Sequence, residues 1–193
     1  MDIKLYVIRH GQSLANSLGQ HAGWAQVPLT EQGQRDALEA GRILRDVEPD
    51  AVYSSDLLRA RQTAAIALPG CAPVLTPLLR ELHVGELAGK SADRCREQYG
   101  PIYDRARAHF DYTPFGGESA GQHVARAAAF LKELEQSGHS TVVAFCHEGT
   151  LRSLYNYIKG LPAGELIRCK NGGVCLFALE NGTWTVEAWE LEA

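Results

Sequence analysis

The sequence predicts an α/β fold in which a mainly parallel sheet is covered by helices on both faces. Three observations predict it. Residues 3–8 and 141–146 are short, largely apolar runs rich in β-branched and aromatic side chains, stretches of helical periodicity lie between such runs, and glycine or proline punctuates the joins. A strand that is apolar along its whole length must be buried on both faces, and strands alternating with helices are the pattern that achieves this.

The first run, Ile3-Lys4-Leu5-Tyr6-Val7-Ile8, reads as a strand that ends at Arg9-His10-Gly11. Thr30, with Gln34 beyond it, opens a helix whose Ala37, Leu38, Gly41, Ile43, Leu44 and Val47 form a core-facing stripe, and Pro49 stops it. Residues 51–54 suit a short strand. Ser55-Asp56 then suits the cap of a helix that carries Leu57, Leu58, Ala60, Ala64, Ala65 and Leu68, with Arg59 in its first turns. A further strand is expected at 73–79, and a helical stretch at 91–110 is broken by Gly100-Pro101. Residues 119–136 predict a long amphipathic helix with Phe130, Leu131 and Leu134 inward. The second buried run, Thr141 to Cys146, ends at His147-Glu148-Gly149 and leads into a helix over 150–159. Residues 173–191 form a hairpin turning at Asn181-Gly182, the dipeptide favoured where both turn residues need positive φ.

The bulk properties narrow the class. A chain of 193 residues with 45% hydrophobic content fits one globular domain over 1–193, although the length alone leaves two small domains open. Nineteen Lys plus Arg against 23 Asp plus Glu gives a net charge of -4, so no global positive field draws the chain to nucleic acid or to an anionic membrane surface. Any anion site has to be local. No stretch is long and apolar enough for a signal peptide or a bilayer span, and the expected location is the cytoplasm. Five scattered cysteines without a C-x-x-C pair suit reduced, structural thiols. Cys146 and His147 are neighbours at a strand end and so face opposite sides, which argues against a shared metal ion; no metal and no cofactor are expected.

Parallel α/β sheets bind ligands beyond the carboxyl ends of their strands, and both runs deliver a histidine there. A phosphomonoester needs its dianion held by several donors, attacked in line, and given a proton on the leaving oxygen. Arg9 beside His10 supplies a guanidinium fork next to an imidazole, and each charge-assisted hydrogen bond contributes roughly 1.5–3 kcal/mol, so three or four hold a phosphate without a metal. Imidazole attacks phosphorus directly when it is unprotonated, and neighbouring arginine charge favours that form. Serine would need a separate base, which favours His10 over Ser13. Leaving-group protonation calls for a carboxylic acid, a part that Glu81 could play. Arg61, two residues past Arg59 on a helix, points elsewhere. His21, His109, His123 and His139 have no constellation around them and read as surface groups, and His83 is left without a role.

These motifs together resemble the histidine phosphatase superfamily in its phosphoglycerate mutase-like branch 1, over nearly the whole chain. The opening R-H-G-Q-S-L-A-N is similar to the family's R-H-G-E-T-x-x-N, V-P-L-T-E-Q-G-Q-R-D-A to its P-L-T-x-x-G-x-x-Q-A, and Gly116-Gly117-Glu118-Ser119 to a common later element. The resemblance implies a three-layer α/β/α sandwich, with His10 as phosphoacceptor and Arg9, Arg59 and His147 completing the phosphate pocket. It further implies Glu81 as the proton-donating carboxylate, and Gly11, Gln12 and Asn16 at the pocket mouth. Two positions depart from the pattern. Gln12 replaces the usual glutamate, and Glu148 stands where glycine is common, either repelling a phosphate or touching another part of the substrate.

Three activities follow as alternatives. The first is hydrolysis of a small phosphorylated metabolite through a phosphohistidine. The second is phosphoglycerate mutase activity, disfavoured because the mutases' longer insertion with paired arginines is reduced here to Asp104-Arg105-Ala106-Arg107 and Val84 replaces a tyrosine. The third is phosphate or phosphopeptide binding without turnover, disfavoured because no catalytic side chain is missing. Substrate choice is expected to lie in 17–27 and 91–115, and apolar residues on the last hairpin could pair with another subunit, as a homodimer, or complete the core.

Overall fold

The computed structural model describes residues 2–192, and it places six strands in one sheet of order β3-β2-β4-β1-β5-β6. The strands are β1 (Ile3–Arg9), β2 (Ala51–Ser55), β3 (Val74–Thr76), β4 (Thr141–Cys146), β5 (Val174–Glu180) and β6 (Thr183–Ala188). β1 pairs parallel to β4, as do β4 with β2 and β2 with β3, while β5 and β6 run antiparallel at one edge. The central strands alternate between two cores. Leu5 and Val7 of β1 and Val142, Ala144 and Cys146 of β4 face one cluster, and Ile8, Val143 and Phe145 face the other.

Helices cover each face. α6 (Ala120–Glu135) and α7 (Glu148–Lys159) pack Phe130, Leu131, Leu151 and Leu154 into the first cluster. α2 (Glu31–Ile43) and α3 (Leu58–Ala67) pack Ala40, Ala64 and Ala67 into the second. This is the α/β/α arrangement the sequence implied. A third cluster, built on Leu82, Val84, Leu87, Tyr103 and Phe115, lies in the segment between β3 and α6, which also holds α4 (Ala92–Tyr99) and α5 (Pro101–His109); α1 (Leu14–Ser17) is a single turn after β1.

Several local expectations hold in detail. Thr30 caps α2 by accepting from Gly33 N–H, and Ser119 caps α6 in a reciprocal box with Gln122. Asn181 and Gly182 both have positive φ, as a type I′ hairpin requires. Others need correction. Leu38 is 53% exposed, because α2 turns its Ala37, Ala40, Ile43 and Leu44 side toward the sheet. The 73–79 strand is confined to Val74–Thr76, since Pro77 opens a 3₁₀ turn. Asp56 does not cap α3: Leu57 occupies the cap position with no side-chain bond, and Asp56 instead accepts two bonds from Arg80 at 2.7 and 2.5 Å. Among the described residues no helix is long and apolar enough to cross a membrane.

Candidate active site

β1 and β4 are adjacent and in register, so their carboxyl ends bring His10 and His147 together. The ring centroids are 5.0 Å apart and the planes meet at 61°. His10 N–H donates to Cys146 C=O across that pair at 3.0 Å, which fixes the loop just past the strand.

The tautomer of His10 follows from its partners. Nδ1 lies 2.6 Å from Gly11 C=O, which can only accept, and Nε2 lies 3.2 Å from Arg59 Nε–H, which can only donate. The proton therefore sits on Nδ1 and the lone pair on Nε2. Burial, then the Arg59 and Arg9 charges, hold the His10 pKa well below the usual 6.5, against a smaller pull from Gly11 C=O.

Arg59 is 1% exposed and spends two further donors on Gly23 C=O (2.9 Å) and Ala25 C=O (3.1 Å), so its guanidinium is fixed before any ligand arrives. Its burial brings its pKa down to about 10, partly offset by Glu81. Arg9 donates to Cys169 C=O and lies 3.4 Å from Glu148. His147 is fully buried behind His10. Its Nε2 lies 2.9 Å from Ser55 Oγ, and its Nδ1 has no partner among the described residues.

Glu81 comes from the loop after β3. Its Oε1 accepts from Leu82 N–H at 2.8 Å and its Oε2 from Gly149 N–H at 3.3 Å, so the carboxyl reaches the start of α7 beside His147. With Arg9, His10, Asn16, Arg59 and Glu148 it lines a cavity of about 750 Å³. Asn16 Oδ1 accepts from the backbone and hydroxyl of Ser13, its capping partner.

Gly11 and Gln12, expected at the pocket mouth, do not line that cavity. Gln12 Oε1 accepts from Thr30 Oγ at 2.8 Å and its N–H donates to Asp36, so it serves the seam with α2. Gly11 packs against Gly33 so closely that a Cβ would fall 2.1 Å from Gly33 C=O. Its N–H donates to Thr63 Oγ, which in turn donates to Arg59 C=O, so the glycine orients the site from behind. Glu148 does face the cavity, but Arg9 at 3.4 Å and Arg168 at 3.6 Å share its charge.

Two histidines read as surface groups are not. His123 is 1% exposed beside Thr150 Oγ and Arg80 C=O, and burial with Arg126 and Arg152 keeps its pKa well below 6.5. His21 is half-buried on the cavity wall, 2.7 Å from Tyr103 OH. His109 and Arg61 are exposed, as expected. Sequence reasoning also missed Arg152, a buried cavity residue, and Arg126, whose guanidinium binds Glu118 and the carbonyls of Arg80 and Glu81. Arg152 falls four residues after Glu148 on one helix, a spacing that sets both on the same face and was available as a signal; Arg126 has no acidic residue within four positions on its helix and offers none.

Two histidines, arginines and a carboxyl gathered beyond the carboxyl ends of parallel strands suit a phosphoryl-handling α/β/α protein. The chain belongs to the histidine phosphatase superfamily (branch 1), whose family model matches residues 5–192. It is 30% identical to a metal-independent phosphoserine phosphatase of Arabidopsis thaliana over 96% of this chain and 80% of that one. It is also 44% identical to a 2,3-bisphosphoglycerate-dependent phosphoglycerate mutase of Bifidobacterium longum over 107 residues, 52% of this chain; that match spans 44% of the mutase, less than half its length. Among solved structures it superposes on the alpha-ribazole phosphatase of Shigella flexneri with a TM-score of 0.91 and 25% identity, covering 99% of this chain and 98% of that one.

Proposed function

We propose that the protein hydrolyses small phosphomonoesters through a phosphohistidine on His10, without a metal ion. The observation that carries this reading is the meeting of an unprotonated His10 Nε2 with the Arg59 fork, Arg9 and the Glu81 carboxyl at one cavity end. The kinship with phosphatases supports it.

In the first step His10 Nε2 gives its electron pair to phosphorus, the ester P–O bond breaks, and the leaving oxygen takes the proton of the Glu81 carboxyl. Arg9 and Arg59 hold the non-bridging oxygens, where charge gathers in the transition state. His147, fully buried with its ring 5.0 Å from that of His10 and its Nε2 against Ser55 Oγ, packs edge-on against the nucleophile and holds it in place. In the second step the Glu81 carboxylate takes a proton from water, the water oxygen attacks phosphorus, the P–N bond breaks, and phosphate leaves with His10 restored. Asn16 and Glu148 meet the remainder of the substrate.

Brief mixing with an aryl phosphate followed by acid-free quenching and intact-mass measurement should show one added phosphoryl group, and H10A should show neither that adduct nor turnover. Persistent hydrolysis by H10A would remove His10 from the reaction. The mutase reading retains support from the 44% identity over 107 residues of the chain; phosphoglycerate isomerisation after bisphosphoglycerate priming is the measurement that would select it.

A further inference from the structure

Beyond the phosphoryl end, the cavity continues between α5, α7 and the loop at 164–168, with Arg107, Phe110, Arg152 and Arg168 on its wall. Arg152 is the unusual member. It is only 6% exposed, yet none of its guanidinium nitrogens has a hydrogen-bond partner or carboxylate within ion-pair distance among the described residues, and its Nε is fully buried. A buried guanidinium without an anion is costly, so a protein keeps one where a ligand supplies the counter-charge.

Glu81 and Glu148 lie near enough for their charges to favour the guanidinium, but they do not offset its burial, which holds its pKa below the usual arginine value, and both carboxylates are bound more closely by other groups. Glu148 is shared by Arg9 and Arg168, Asp104 accepts from Arg96 at 2.9 Å, and Glu81 is held by the backbone of Leu82 and Gly149. Arg107, exposed at the rim, has no ion pair among the described residues either. The Arg152 guanidinium carbon lies 3.8 Å from the centre of the Phe110 ring. Stacking leaves the N–H edge of that plane free, because all five donors lie in it. Phe110 itself ends α5 with a φ of 49°, a conformation uncommon for an aromatic residue, which presents the ring to Arg152.

Five arginines and three carboxylates line the cavity. When Glu81 carries the proton it must donate, the arginine surplus exceeds what one phosphoryl dianion cancels, and the excess lies on the Arg152 side. Arg152 stands five residues past His147 on α7, about 7.5 Å along the axis at 1.5 Å per residue. From this juxtaposition we infer that Arg152, with Arg107 at the rim, forms a second anion subsite, so that the preferred substrates are short phosphomonoesters whose alcohol part carries a carboxylate or a second phosphate. The inference rests on the phosphomonoester reading of the His10 end.

The test uses the full chain and three probes of matched length: propyl phosphate, 3-phosphooxypropanoate and 1,3-propanediol bisphosphate. The wild-type protein should have a higher kcat/KM for at least one doubly anionic probe than for propyl phosphate. In R152Q that preference should fall about 10- to 100-fold, the loss expected for charge-assisted hydrogen bonds, and the larger fall tells carboxylate from phosphate. A preference unchanged in R152Q, or absent in the wild type, overturns the subsite. Should R152Q not melt cooperatively, R107Q at its exposed position takes the same readout: a fall of about 3-fold is expected for a rim charge, and no change counts against the subsite. If none of the probes is hydrolysed, the phosphatase reading fails separately; calorimetric affinities of the same probes for wild type and R152Q still decide the subsite.

Discussion

Arg59 Nε stands 3.2 Å from Nε2 of His10, so in the free protein an arginine donor rests on the lone pair proposed to attack phosphorus. A phosphoryl group must take over that donor as it arrives, which places Arg59 against its non-bridging oxygens while Nε2 is released toward phosphorus. The same guanidinium is the largest charge holding the His10 pKa down after burial itself. R59Q should therefore do two things. kcat/KM should drop about 10²- to 10³-fold, the loss of a fixed charged donor to the transition state, and the acid limb of the kcat/KM profile should move to higher pH as His10 regains proton affinity. A lowered rate with an unmoved limb would mean that Arg59 does not set the protonation of His10.

Three buried histidines make stability pH-dependent in one direction. His10, His123 and His147 all have folded pKa values well below 6.5, each chiefly through burial. Between those depressed values and 6.5 the unfolded chain binds more protons than the folded one, so unfolding is favoured as pH falls through that window and stability is full above it. Each histidine contributes up to about 1.4 kcal/mol per pH unit there. Urea unfolding at pH 7.5 and 5.5 should show the midpoint lower at 5.5, and substituting His123 with Phe should shrink the difference.

Gly149 leaves room for Glu81. A Cβ at that position would fall 2.0 Å from Glu81 Oε1 and 3.1 Å from His123 Cε1. G149A should push the carboxyl from its place while leaving His10 and Arg59 untouched. General acid catalysis contributes roughly 10²- to 10⁴-fold and is felt most by poor leaving groups. Alkyl phosphate hydrolysis should thus fall at least about 30-fold, whereas a nitrophenyl phosphate should lose only a few-fold. Equal losses on both would assign the damage to the phosphate pocket instead.

The parts of this site that were readable from the sequence are those attached to strand ends. His10 and His147 follow apolar runs whose burial fixes both their place and their neighbourhood, and Arg59 sits near the start of a recognisable helix. Glu81 carried no such signal: its loop has neither strand nor α-helix, and chemistry alone made it only one carboxyl that could donate the proton, a part the resemblance then assigned to it. Gln12 and Gly11 were misplaced because a motif lists residues along the chain, whereas the turn after β1 sends the side chain at 12 toward Thr30 and α2. His123 was misjudged for a related reason. Its helix face is otherwise alanine and large apolar groups, and a polar residue on a buried stripe is betrayed only by what packs opposite it, here Thr150 and Arg80 of distant segments.

The close approach of Gly11 and Gly33 yields a stability prediction. A Cβ at Gly33 would fall 2.0 Å from Gln12 C=O, backbone against backbone, with no flexible side chain to yield. G33A should destabilise by about 1–3 kcal/mol, as overpacking does, and lower kcat by shifting the turn that carries His10. A melting temperature equal to wild type would mean that α2 can retreat from the turn without cost.

Arg126 holds the Glu81 loop to α6 and should behave accordingly. Its Nε and Nη2 make a two-pronged pair with Glu118 at 3.0 and 2.9 Å, and its remaining donors reach the carbonyls of Pro77, Leu78, Arg80 and Glu81. Glu118 in turn accepts from His83 N–H at 2.9 Å, so the two side chains clamp the loop on both sides of Glu81. Both are mostly buried, and removing one member of such a pair strands the other, at about 3 kcal/mol. R126M should lose that much stability, E118Q less because an amide still accepts from His83, and the double variant less than their sum. The activity pattern separates this clamp from a general loss of structure: at temperatures where R126M is folded, alkyl phosphates should suffer more than nitrophenyl phosphate, as for G149A, because what moves is the acid and not the nucleophile.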